Sequence, residues 1–166
     1  MDKCIESFLG NVFSKKVDEN SFIVLPQSIQ KVLSKAKFKD SVKNSGSEYR
    51  MRSNGSPFSY IADLVEFSDN INALTSTDIK TIHDEFWNKD VAIDFYMVTD
   101  SKDKKFIEEK QPVPIFGYGT GDFICALRDG TFVEYIHDNS TSFINQTTWS
   151  SFADVLKYLR QNEIID

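Results

Sequence analysis

The chain has 166 residues, 40% hydrophobic and 27% charged. That suits a single domain over residues 1–166, able to bury roughly 70% of its unfolded surface without disulfide or metal staples. Aromatic residues at 13% exclude a disordered polar chain, and a net charge of −6 argues against nucleic acid as partner, because phosphate binding needs a positive field.

No apolar run is long enough for a membrane span, and Met1-Asp2-Lys3-Cys4 does not open a secretory leader, so a cytoplasmic protein is expected. The two cysteines, Cys4 and Cys125, lie far apart and are expected as reduced, buried thiols. Charge is unevenly spread. Residues 1–50 carry +3, with Lys31, Lys35, Lys37, Lys39 and Lys43 concentrated on one stretch, and residues 51–166 carry −9.

Residues 2–9 predict a short helix stopped by Gly10. After Phe22-Ile23-Val24-Leu25, Pro26 suits a helix start. Ile29, Val32, Leu33 and Ala36 then repeat at helical spacing, which predicts an amphipathic helix over 26–38. Ser41 to Pro57 reads as a polar connection with a short strand around Tyr49 and Met51. Tyr60 to Phe67 reads as a strand. Ser76 or Thr77 is the expected cap of a helix with Ile79, Ile82 and Phe86 on its stripe. Val91 to Val98, rich in β-branched and aromatic residues, predicts a central strand.

Ser101 to Lys110 is highly charged and reads as an exposed loop or helical turn. Pro112 and Pro114 force an extended chain into Ile115-Phe116. Asp129-Gly130 predicts a two-residue type I′ hairpin over 122–137, with residue 128 opposite 131, Leu127 opposite Phe132 and Asp122 opposite His137. Both faces of that hairpin are largely apolar, so both must be covered. A last helix begins at Ser150 or Ser151, with Asp154 completing an S-x-x-D box and Phe152, Val155, Leu156 and Leu159 on the buried side. Helices and strands intermix without strict alternation, which gives the α+β class.

Chemistry is sparsely signalled. The two histidines, His83 and His137, sit in no H-x-x-x-H, H-E-x-x-H or C-x-x-C arrangement, so neither a metal nor a cofactor is expected. His83 reads as a helix-surface residue and His137 as a strand-end residue paired with Asp122. Cys125 lies among apolar neighbours, the setting of an inert thiol. Gly117-Tyr118-Gly119-Thr120-Gly121 has no lysine and leads into a strand, unlike a phosphate loop. No catalytic residue is assigned.

The order of Leu25-Pro26-x-Ser28-Ile29-x-x-Val32-Leu33, Pro114-Ile115-Phe116, Gly119-Thr120-Gly121-Asp122-Phe123-Ile124-Cys125, Val133 to Asp138 and Ser151-Phe152-x-x-Val155-Leu156 resembles the SUKH superfamily (SMI1/KNR4-like) across roughly residues 20–160. The resemblance implies a mostly antiparallel sheet of about six strands flanked by helices. It also implies a non-enzymatic immunity protein that binds and blocks a cognate polymorphic or contact-dependent toxin, often a nuclease. A regulatory protein-interaction scaffold, as in the fungal relatives, is the alternative. The acidic balance suits a basic toxin as partner. The expected contact residues are Glu66, Asp69, Asp100, Asp103, Tyr118, Glu134 and Asp138.

Overall fold

The computed structural model describes residues 22–35, 42–45, 48–52, 66–87 and 98–166. The expected helix at 2–9 lies outside these residues, as do most of the strands expected at 60–67 and 91–98. The fold is α+β. Among the described residues the strands form two antiparallel sheets.

The smaller sheet has the order β1-β3-β2, from Phe22–Val24 (β1), Val42–Ser45 (β2) and Glu48–Arg52 (β3). The strand expected around Tyr49 and Met51 is β3, and it pairs with β2, Val42 facing Met51. The larger sheet runs β4-β5-β6-β7, from Val113–Gly117 (β4), Phe123–Ala126 (β5), Phe132–Tyr135 (β6) and Thr148–Trp149 (β7). Four α-helices accompany them among the described residues: Gln27–Leu33 (α1), Ser76–Phe86 (α2), Ser101–Lys110 (α3) and Phe152–Gln161 (α4).

The four-stranded sheet separates two apolar clusters. On one face, Ile124, Ala126 and Phe132 meet Ile29, Val32 and Leu33 of α1, Ile79, Ile82 and Phe86 of α2, and Phe152, Val155 and Leu159 of α4. On the other, Cys125, Leu127, Val133 and Tyr135 meet Ile107 of α3 and Phe143 of the loop before β7. Each valine, leucine, isoleucine or phenylalanine so removed from water contributes about 1.5–3 kcal/mol. Both faces of the hairpin are covered, as its apolar pattern requires.

Local chemistry sets the boundaries. Pro26 precedes α1 with φ −52° and ψ 144°. Ser28 donates to Glu85 at 2.7 Å, and Lys35 pairs with Asp78 at 2.7 Å, which ties α1 to α2. Burial pushes the Asp78 carboxyl up, but hydrogen bonds from Lys35 and Thr75 outweigh that and hold it below the usual range. The cap of α2 is Thr75, not Ser76 or Thr77. Its hydroxyl accepts from the Asp78 N–H while Asp78 accepts from the Thr75 N–H, a reciprocal box. Ser151 caps α4 as expected, accepting from the Asp154 N–H at 3.2 Å.

Three further expectations need correction. Glu66 and Phe67, placed in a strand by their sequence, open a 3-10 segment, Glu66–Ala73, which kinks at Asn70. The Ser68-Asp69-Asn70 run favours tight local turns over a ladder. Ser101–Lys110 is a full helix, capped by Asp100 and closed by Gln111 in the left-handed region. Finally, the β5–β6 register is one residue away from the type I′ expectation: Ala126 faces Phe132, Ile124 faces Glu134 and Phe123 faces Tyr135.

The turn explains the register. The Gly130 N–H donates to the Leu127 carbonyl at 3.0 Å, and the Leu127 N–H donates to the Thr131 carbonyl at 2.9 Å. Gly130 has φ +84°, whereas Asp129 does not reach positive φ. This is a type I turn followed by a glycine bulge, with a three-residue loop. Leu127 therefore belongs to the α3 face and not with Phe132. A second bulge lies in β4, where the pairing shifts between Pro114 and Phe116. It lets Val113, Ile115 and Phe116 all join the α1/α2/α4 cluster despite strand alternation.

Candidate functional site

The open end of the β5–β6 hairpin brings Asp122, Glu134, His137 and Asp138 together beside Tyr118. The chain leaves β4 through Tyr118 to Gly121, and the Tyr118 N–H donates to the Asp122 carbonyl at 3.1 Å. Asp122 Oδ1 accepts from the His137 N–H at 3.0 Å and from His137 Nδ1 at 2.7 Å. His137 Nε2 faces Asp138 Oδ2 at 2.9 Å. Both ring nitrogens thus meet carboxylate oxygens, an arrangement satisfied by the imidazolium. The hydrogen bond to Asp122 and the nearby carboxylate charges raise the His137 pKa. Burial pushes the Asp122 carboxyl up, and the bonds from His137 outweigh it, so the net direction is down.

Glu134 projects from β6 beside this group. It is half-buried, and among the described residues its carboxylate has no ion pair or hydrogen bond. Burial, and then the charge of Asp122, raise its pKa. Next to it the Tyr118 hydroxyl is buried without a well-formed hydrogen bond, although Tyr158 of α4 lies alongside. Burial, followed by the Glu134 charge, moves the Tyr118 phenol far above its ordinary value of 10.0. The Tyr118 ring is held edge-on by Phe116, with centroids 5.4 Å apart. Three carboxyl groups, those of Asp122, Glu134 and Asp138, thus surround the one imidazole of His137 beside an aromatic wall, an acid-rich site.

Of the residues singled out in the sequence, Tyr118, Glu134 and Asp138 come together here. Asp122 and His137, read there only as a cross-strand pair, belong to the same group. Asp100 does not: its carboxylate caps α3, accepting from Lys102 and Asp103 N–H groups. Glu66 and Asp69 lie in the 3-10 segment, and their side chains are outside the described residues. Asp103 is corrected outright. It is 1% exposed, and its carboxylate accepts from the N–H groups of Ser142, Phe143 and Ile144 at 2.7, 2.9 and 3.2 Å. It holds a loop and cannot meet a partner.

His83 is also corrected. It is 5% exposed, with Nε2 2.6 Å from the Gln111 carbonyl oxygen and Nδ1 3.2 Å from Asp84. It joins α2 to the end of α3. Cys125 is fully buried on the α3 face. Among the described residues no group of three or more His, Cys, Asp or Glu is placed to hold a metal ion, and no helix is long and apolar enough to cross a membrane.

No protein-family profile matches this chain, and comparisons with curated proteins and with solved structures give no match either.

Proposed function

We propose that this chain is a SUKH-like immunity protein that binds and blocks a basic toxin domain, with the acidic end of the four-stranded sheet as its contact surface. The observation that carries the reading is Glu134: a half-buried carboxylate without a partner among the described residues, beside Asp122 and a buried tyrosyl hydroxyl. A desolvated acid of this kind is costly alone and becomes favourable when a cation arrives. An arginine fork from the partner would meet Glu134 and Asp122 and stack on the Tyr118 ring.

The α+β class and the helix-covered antiparallel sheet support the resemblance. From the resemblance we also carry over, as part of this proposal, a mostly antiparallel sheet of about six strands flanked by helices. The protein acts by occupation in this reading. It covers the toxin's phosphate-binding surface with opposite charge, exposed acids such as Asp138 speeding encounter and the half-buried Glu134 slowing release.

The test begins with co-purification of the cognate toxin from source cells, followed by rescue of toxin-expressing cells by this chain. Association rate is then followed against salt. The expected rate falls at least about tenfold between low salt and about 0.5 M, where screening shortens to a few ångströms. Glu134→Arg should abolish rescue while the fold persists. A salt-independent rate, together with full rescue by Glu134→Arg, removes the acidic surface from the proposal. Absence of any neutralised toxin removes the immunity function.

A further inference from the structure

The turn end of the same hairpin faces a cleft of about 360 Å³ between the first turns of α2, the β5–β6 turn and the start of α4. Its size falls in the range of small-molecule sites. Ile79, Phe132 and Phe152 supply an apolar wall, and Lys80 and Arg128 stand at its rim. No acidic side chain is among the residues that line it.

The two cations are differently committed. Lys80 pairs with Asp84 at 2.8 Å, but both side chains are more than half exposed, so the pair is weak and yields readily to a stronger anion. Arg128 has no ion pair among the described residues. Its backbone is fixed, because the Arg128 N–H donates to the Lys110 carbonyl at 2.9 Å. His83 is buried in the wall and anchored to the Gln111 carbonyl, so it stiffens the cleft and leaves the anion to the two exposed cations. The neighbouring Asp129 carboxylate bonds to Thr131 and pairs with Lys110 at 3.3 Å, and among the described residues no ion pair joins it to Arg128.

We propose that this cleft binds a small organic dianion, a phosphate monoester on an apolar ring, with Arg128 and Lys80 on the phosphate and Ile79, Phe132 and Phe152 against the ring. Two cations match two negative charges, and the guanidinium fork suits phosphate oxygens. The apolar wall gives no role to a bare inorganic ion, and the cationic rim gives no advantage to a neutral ring. The site is at the opposite end of the hairpin from the acidic surface and does not depend on its function.

The experiment is an amide-resolved NMR titration of the intact protein with phenyl phosphate, benzyl alcohol and inorganic phosphate as separate probes. Phenyl phosphate should give saturable shifts at residues 76–80, 128–130 and 150–152. Each control should bind about tenfold more weakly or worse. Both cations are exposed, so Arg128→Glu and Lys80→Gln should keep the native spectrum. Arg128→Glu should weaken phenyl phosphate about tenfold or more, and Lys80→Gln by less. Equal binding of benzyl alcohol, affinity unchanged in Arg128→Glu, or no saturable shift up to roughly 10 mM would each overturn the proposal.

Discussion

The Asp103 carboxylate of α3 accepts the backbone N–H of Phe143 at 2.9 Å, forty residues further along the chain. With the N–H groups of Ser142 and Ile144 it makes a three-bond anchor that fixes the loop before β7 against the sheet. Phe143 then stacks on Phe106 at 5.3 Å and meets Tyr135 at 5.2 Å. Asp103→Ala leaves three donors without an acceptor, and a loss on the order of 3 kcal/mol is expected in urea unfolding. A change under about 0.5 kcal/mol, the usual range of surface substitutions, would show that the anchor is not needed.

Two glycines should respond unequally to alanine. Gly130 has φ +84° and open space where a Cβ would stand, so Gly130→Ala carries only the left-handed backbone cost of about 1–2 kcal/mol. Gly121 has φ +93°, and a Cβ there would lie 3.1 Å from Cε1 and Nδ1 of His137. Gly121→Ala is therefore expected to be the more destabilising and to displace His137 from Asp122. Thermal melts of the two variants side by side decide it, and equal losses would count against the contact.

The Asp122–His137 pair predicts a pH window. The folded His137 pKa is raised above 6.5, so its contribution is complete below that value and is lost as pH rises through the folded pKa. The folded Asp122 pKa is lowered below 3.8, so its contribution is complete above that value and is lost as pH falls through the folded pKa. The pair supports the fold most between about pH 4 and 6.5. Unfolding free energy measured against pH should show a decline on the alkaline side in the native sequence that His137→Gln lacks. Parallel curves would exclude the pair as its source.

Leu127 is 6% exposed and packs on the α3 face of the sheet. Leu127→Asp places an unpaired charge there and should cost several kcal/mol, enough to unfold a domain of this size. Leu127→Ala should cost about 2–5 kcal/mol and remain folded if the total stability allows. A Leu127→Asp variant as stable as the native chain would mean that this face is open to water.

Legibility follows the kind of signal each residue carries. The α4 segment is readable because Phe152, Val155 and Leu159 repeat at helical spacing behind a serine cap. The α3 segment is not, because part of its buried stripe is Asp103, whose partners are backbone groups on a distant loop. The hairpin is readable from Asp129-Gly130, but the sequence does not distinguish a turn with both residues at positive φ from one with only Gly130 there. That difference of one loop residue puts Leu127 and Glu134, expected on one face, on opposite faces of the sheet. Tyr118, Glu134 and Asp138 can be singled out by type. Their convergence with Asp122 and His137 depends on the β4–β5 connection and the observed register.

Because β5 and β6 send alternate residues into the two apolar clusters, neither cluster possesses a wall of its own. Pulling Cys125 and Val133 out of one moves the strands that carry Ile124, Ala126 and Phe132 into the other. The two sides of the sheet are thus one cooperative unit. Hydrogen-exchange protection of the β5 and β6 amides should be set by global opening, and damage beneath α3 should be felt equally beneath α4.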